Sequence, residues 1–463
     1  MPRLAMTTGT EKIAYLTAGA AGMFCGSCLR DNALAAALSG LGCDVTLVPL
    51  YTPIRTDEVD VSLDRVFFGG VNVYLQQKIP LFRYLPRALD RWLDAPWLLR
   101  RLAAGQIEVD ARELGELTES MLKGEHGHQR KEVYRLVDWL DRAVRPDLVN
   151  LSNILIAGCV PALKQRLKVP VLVTLQGDDL FLEQLSAPYR QRALAEIHRL
   201  SREIDGFLVF SRYYADFMSK YLQLDRGKFH VVPLGLSLDD FRLPEGTSTD
   251  RAPTIGYLAR IAPEKGFQRL VDAFLLLAAR PGMEQVNLRA AGWLGPKDEA
   301  FFSEQIGRLR AAGLAERFRY DGVVERAEKL DLLRSIDVLS VPTAYHEPKG
   351  IFVLEAWAAG VPVVQPAHGA FPELLTATGG GRLVEPDDPA ALADALAELL
   401  LDPAAARAMG ERGRLGVEQS FSAGEMAVQT LDVYRRHLRG ATRPTTTRPT
   451  AGSATGGIVD RVD

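Results

Sequence analysis

At 463 residues the chain exceeds the roughly 250 to 300 residues at which one hydrophobic core stops growing, which argues against a single domain. Hydrophobic residues make up 47% and charged residues 24%, a balance that excludes a disordered or fibrous chain. The formal net charge is −3, so nothing global draws the chain toward nucleic acid or anionic lipid, and any anion site has to be local.

The opening MPRLAMTTGTEK lacks the apolar centre of a signal peptide, and no run approaches 18 consecutive apolar residues; a cytoplasmic protein is expected. Residues 13–50 then read as an apolar strand (IAYLT), a Gly-rich turn, a helix-period stretch (LRDNALAAALSGLG) and a second strand (DVTLVPL), which together make a βαβ unit. Gly19, Gly22 and Gly26 punctuate the turn and let a ligand approach the backbone. The Gly-x-Gly-x-x-Gly spacing is absent and strand two ends in Pro49, Leu50 and Tyr51 without a ribose-binding acid, which argues against an NAD enzyme. Cys25 and Cys28 form a C-x-x-C in that turn, open to three readings: structural thiols, redox control, or half of a metal site. The other half is missing, because Cys43 and Cys159 form no second pair and His126 and His128 sit in a polar stretch with no reason to approach.

Residues 51–147 form a long insertion. Within it, 81–102 place Arg87 and Arg91 four apart, Leu89 and Leu93 four apart, and Pro86 and Pro96 at possible helix starts. Two basic amphipathic helices are expected there, serving as a packed cover, as a cap over an acceptor, or as a peripheral contact with a membrane surface. Strand patterns return at DLVNLS, VPVLVTL, GFLVFS and HVVPLG, completing a first α/β domain over 1–242. The polar segment 243–253 reads as a linker. The pattern restarts over 254–421 with PTIGYLA, VNLRAAG, RFRYDG, DVLSVP, VPVVQP and GGRLVEP, with helical stretches such as 267–280 and 388–401 between them. A helix over 422–439 and a disordered tail over 440–463 close the chain.

Two parallel-sheet domains put strand C-termini and helix N-termini along a shared cleft, the expected ligand site. Within IGYLARIAPEKGF a strand runs into a loop carrying Arg260 and Lys265, two cations placed to stabilise charge on a departing diphosphate. Within VPTAYHEPKGIFVLEAWAAGVPVV, Glu347 precedes Glu355 by eight positions with a helix start near Gly350 between them. The first amides of that helix, on Gly350, Ile351 and Phe352, suit a phosphate. Glu355, about one turn in, suits a ribose through its vicinal hydroxyls, and Glu347 could reach a sugar hydroxyl.

These segments, together with the DG before VVERAEKLDLL, DVLSVPT, the FPELL near Glu373 and GRLVEPDDPAALADAL, resemble the retaining glycosyltransferases of family 4, the group 1 class with the GT-B fold, over most of the chain. The resemblance implies two Rossmann-like domains facing a central cleft, an N-terminal acceptor domain and a C-terminal donor domain, with the last helix crossing back onto the first. It implies transfer of a hexosyl group from a nucleoside-diphosphate sugar to a hydroxyl acceptor (glycan, glycolipid or small molecule), with retention, no cofactor and no metal. Arg260 and Lys265 would hold the diphosphate, Glu355 the ribose, and Glu347 with the following amides the transferred sugar. The loop of Gly22 would face the donor phosphates or the acceptor. One departure stands out: after VPVLVT the family commonly shows a histidine facing the donor sugar, where this chain has Gln176, an amide that does not titrate near neutral pH. Asp178 would orient the acceptor or simply begin the next helix. The rival functions are a nucleotide-sugar epimerase or phosphorylase on similar domains, and a nucleotide-sugar-binding protein without catalysis.

Overall fold

Short apolar runs, rich in Val, Leu and Ile and hydrophobic on both faces, pair only when helices cover both sides of a sheet, and they do so here twice. The computed structural model describes residues 10–19, 26–68, 73, 76–77, 111–241 and 251–440. Gly22, Cys25, the basic helices expected within 81–102, most of the 243–253 linker and the tail beyond Gly440 lie outside the described residues.

The first sheet holds β1 (Lys12–Thr17), β2 (Asp44–Pro49), β3 (Leu148–Leu151), β4 (Val171–Thr174), β5 (Gly206–Val209) and β6 (Phe229–Val231) in the order β2-β1-β3-β4-β5-β6. The second holds β7 (Thr254–Leu258), β8 (Asn287–Ala291), β9 (Phe318–Tyr320), β10 (Val338–Leu339), β11 (Val363–Pro366) and β12 (Gly381–Val384) in the order β12-β11-β10-β7-β8-β9. Every pairing is parallel. In the second sheet the chain runs outward from β7 to β8 and β9 on one side, then returns to β10, β11 and β12 on the other. The crevice between β7 and β10 is therefore a topological switch point, where helices leave in opposite directions and ligands fit beyond the strand ends.

Two glycines shape that crevice. Gly266 sits at φ 74°, and a Cβ there would lie 1.7 Å from the carbonyl oxygen of Pro342, so only glycine lets the loop after β7 press against the loop after β10. Gly350, at φ 67°, caps the helix Ile351–Ala358 from the left-handed region. The helix Ala423–Gly440 packs back onto the first domain: Arg435 pairs with Glu11 at 2.7 Å, and the ring nitrogens of His437 and His230 meet at 3.0 Å. Among the described residues no helix is long and apolar enough to cross a membrane.

Candidate functional site

Beyond the ends of β7 and β10, a cavity of about 510 Å³ lies between the two domains. The first domain lines it with Gly26, Leu29, Arg55, Thr56 and Asp57, and the second with residues that include Arg260, Lys265, Trp293, Lys329, Glu347, Lys349, Phe352 and Glu355. Five cations (Arg55, Arg260, Lys265, Lys329, Lys349) face three carboxylates (Asp57, Glu347, Glu355), so the lining is formally positive in a chain of net charge −3. A positive, partly enclosed cleft concentrates anionic ligands.

The loop after β7 is held by a residue the sequence reading did not single out. Tyr257, buried in the strand, donates its phenol to the carbonyl of Arg260 at 2.9 Å and lies 3.4 Å from that of Lys265, which fixes both cation-bearing turns from below. Its signal was present in the sequence: a polar-tipped aromatic inside an apolar strand needs a partner when buried. Arg260 pairs with Glu264 through its guanidinium, and Lys265 turns to Glu347.

Glu347 is 3% exposed, and both its oxygens are engaged. Oε2 accepts from Lys265 Nζ at 2.9 Å and from the Tyr345 phenol at 2.5 Å; Oε1 accepts from the backbone amides of Lys349 at 3.2 Å and Gly350 at 3.3 Å. Burial alone would raise its pKa, but the Lys265 ammonium, the hydrogen bonds from Tyr345 and Lys265, and the Lys349 charge bring it down to about 2. Since Gly350 donates to Glu347, the amides left at the helix start are those of Ile351 and Phe352; the first intrahelical bond runs from Val353 to Gly350 at 2.9 Å. This narrows the expected three-amide phosphate site to two. Lys349 reaches across the cleft to the Ser27 hydroxyl at 3.0 Å.

Glu355 lies one turn into the helix, 6% exposed, with Oε1 2.7 Å from Lys329 Nζ. Lys329 is in turn 2.6 Å from Asp57 Oδ2 of the first domain. Lys329 stands one turn into the helix Arg326–Arg334, which starts with a reciprocal Glu325 and Glu328 capping box. The site thus joins Arg260, Lys265, Glu347, Ile351, Phe352 and Glu355 around one cavity, and adds Lys329, Lys349 and Asp57 to them.

Gln176 and Asp178 do not line this cavity. Gln176 donates its amide to Asp31 Oδ1 at 3.1 Å and to the Ser152 carbonyl at 2.9 Å, so both amide hydrogens are taken by the scaffold and only the buried Oε1 lacks a partner among the described residues. Asp31 itself is fully buried among Tyr15, Thr17 and Arg30. Asp178 accepts from the amides of Ile154 at 2.7 Å and Gln176 at 2.6 Å, tying two loops of the first domain together. Burial raises its pKa to about 6 despite those bonds. Of the thiols among the described residues, Cys28, Cys43 and Cys159 are all buried, and no group of three or more metal-ligating side chains occurs there.

Residues 32–235 match the family described as a glycosyl transferase 4-like domain, and residues 242–416 match glycosyl transferases group 1. A D-inositol 3-phosphate glycosyltransferase of Streptomyces avermitilis is 32% identical over 241 residues, covering 50% of this chain and 51% of that protein, so the match spans about half the length of that relative. Among solved structures, sucrose-phosphate synthase from Thermosynechococcus elongatus aligns with a TM-score of 0.67 at 22% identity, over 93% of this chain and 100% of that one. HepE of Anabaena, solved in complex with UDP, aligns with a TM-score of 0.65 at 17% identity over 92% and 100%. These likenesses show the fold, two Rossmann-like domains in the GT-B arrangement.

Proposed function

We propose that this chain, in which a glycosyl transferase 4-like domain is followed by a glycosyl transferases group 1 domain, moves a hexosyl group from a nucleoside-diphosphate sugar to a hydroxyl acceptor with retention of configuration. The observation that carries the reading is the positive cavity at the switch point, where two cations and a helix start converge beside two carboxylates, Glu347 just before the helix and Glu355 one turn into it. Arg260 and Lys265, with the amides of Ile351 and Phe352, hold the diphosphate. Glu355 accepts from the ribose hydroxyls through Oε2, to which no described residue donates.

Binding turns Lys265 from Glu347 toward the diphosphate and frees a lone pair of Glu347 for a hydroxyl of the transferred sugar. As the glycosidic bond breaks, charge growing on the leaving phosphate oxygen is met by Lys265, Arg260 and the helix amides. That oxygen helps deprotonate the incoming acceptor hydroxyl on the same face of the sugar, so neither a side-chain nucleophile nor a metal is needed. The acceptor enters along the first domain, with Gly22 and the loops held together by Gln176 and Asp178 as its proposed contacts. The 81–102 segment would select among glycan, glycolipid and small-molecule acceptors and supply any peripheral membrane contact on the cytoplasmic side. A nucleoside-diphosphate donor is in keeping with the UDP complex of HepE.

Thermal melting with UDP, GDP, ADP and NAD tests the class. One nucleoside diphosphate should raise the melting point, with about 2.7 kcal/mol of added stability at a hundredfold excess over Kd, while NAD leaves it unchanged. With the matching sugar donor and a chelator present, NMR of the product should show the donor's own anomeric configuration. A shift with NAD alone, or an inverted product, overturns the assignment.

A further inference from the structure

Lys329 is the point where the two domains share one buried charge. Its ammonium lies 2.7 Å from Glu355 Oε1 in the second domain and 2.6 Å from Asp57 Oδ2 in the first, and the side chains of Lys329, Asp57 and Glu355 are 9%, 8% and 8% exposed. One helical turn earlier, Arg326 pairs with Glu58 of the same first-domain loop at 3.1 Å. The loop is therefore seated by two adjacent bridges on one helix face. Asp57 and Glu355 both line the cavity, and Asp57 Oδ1 is buried with no hydrogen-bond partner among the described residues.

We infer that Lys329 is a positioning residue common to both domains: it orients Glu355 toward the donor ribose and, by holding Asp57 on the same ammonium, makes nucleoside binding and the seating of the 55–58 loop a single event. The inference rests on the donor site proposed above. A buried ammonium is tolerable only when paired, and with two carboxylates sharing it, removing either lets Lys329 shift onto the other, so each bridge helps set where the ammonium stands. Burial alone would lower the Lys329 pKa, but Glu355 and Asp57 raise it, so the ammonium keeps its proton while both bridges stand. Whatever fixes Glu355 for ribose therefore also fixes the loop, and by reciprocity whatever seats the loop tightens nucleoside binding. The diphosphate half of the site, at Arg260 and Lys265, lies outside this linkage.

Titration calorimetry on the full chain tests it, using the nucleoside diphosphate that wild type binds and, separately, pyrophosphate. Asp57→Asn should weaken the nucleoside diphosphate by about tenfold, a coupling of ordinary size, and leave pyrophosphate unchanged. Lys329→Met should do at least as much, and Lys329→Arg should restore part of the loss. If Lys329→Met fails to fold, Asp57→Asn decides alone. Wild-type affinity for the nucleoside diphosphate in Asp57→Asn, or an equal loss for both ligands, overturns the inference while leaving the donor site standing. A wild-type chain that takes pyrophosphate but no nucleoside diphosphate overturns the donor site itself and the inference with it.

Discussion

Four hydrogen bonds converge on Glu347, which fills the lone pairs of a carboxylate, so the proposed contact with a sugar hydroxyl requires a donor such as Lys265 to move away. Glu347→Gln keeps the shape but removes the charge that holds Lys265 and the helix start in place. Steady-state kinetics should show kcat lower by about 10² to 10³, the scale of losing one preorganised electrostatic contact, with the melting point little changed; near-normal turnover would remove Glu347 from the reaction. Its folded pKa of about 2 lies below the ordinary 4.5, so its stabilising charge is complete above about pH 4.5 and is lost as pH falls toward 2. Activity near neutral pH should accordingly show no limb from this group. Glu347, Glu355, Arg260 and Lys265 could be picked from the sequence because each lies in a short motif beside a strand end or helix start. Tyr345 and Lys349 lie in the same motif, yet their roles depend on what faces them: Tyr345 supports Glu347, and Lys349 reaches Ser27 from 322 residues away in sequence.

Elements fall where local patterns put them. The twelve strands among the described residues each overlap a segment read as a strand, and the helix at Gly350 starts where its glycine allows. The glycines of Pro403–Ser420 carry a meaning that periodicity does not reveal. A Cβ at Gly413 would come within 2.3 Å of the Trp357 ring, and one at Gly410 within 1.9 Å of the Gly360 carbonyl. That helix gives up propensity, about 1 kcal/mol per glycine relative to alanine, to lie flush on its neighbour. The closing helix Ala423–Gly440 carries a pH prediction. Burial first, then the charges of His437 and Arg436, lower the His230 pKa from 6.5 to about 4, and burial lowers that of His437. The folded form thus binds fewer protons than the unfolded chain in this window, so stability is lost as pH falls from about 6.5 toward 4. His437→Gln should flatten the fall in melting temperature over that range; an unchanged slope would clear the pair of any part in docking the helix.

Across the whole molecule, the cleft is closed by contacts that join residues far apart in the chain. Besides the Lys329 and Lys349 contacts, Glu373 of the second domain accepts from the amides of Arg212 at 2.9 Å and Tyr213 at 2.5 Å, capping the helix Arg212–Tyr221 of the first. Hydrogen bonds to a charged acceptor contribute about 1.5 to 3 kcal/mol each, so Glu373→Ala should shift the domains toward an open form. Small-angle scattering of the unliganded protein should give a larger radius of gyration, with lower turnover; identical scattering would mean the cap does not hold the cleft. Hydrophobic period, glycine punctuation and turn chemistry act over a few residues, so the doubled α/β architecture, the strand and helix order and the motifs that line the cavity are legible along the chain. That Asp57 meets Lys329, that Gln176 spends its amide hydrogens on Asp31 and Ser152, and that Glu373 caps a helix in the other domain follows from how the folded chain brings distant residues together. Charge pairing acts over a few ångströms in space whatever the separation along the chain, and a single sequence records no such distances.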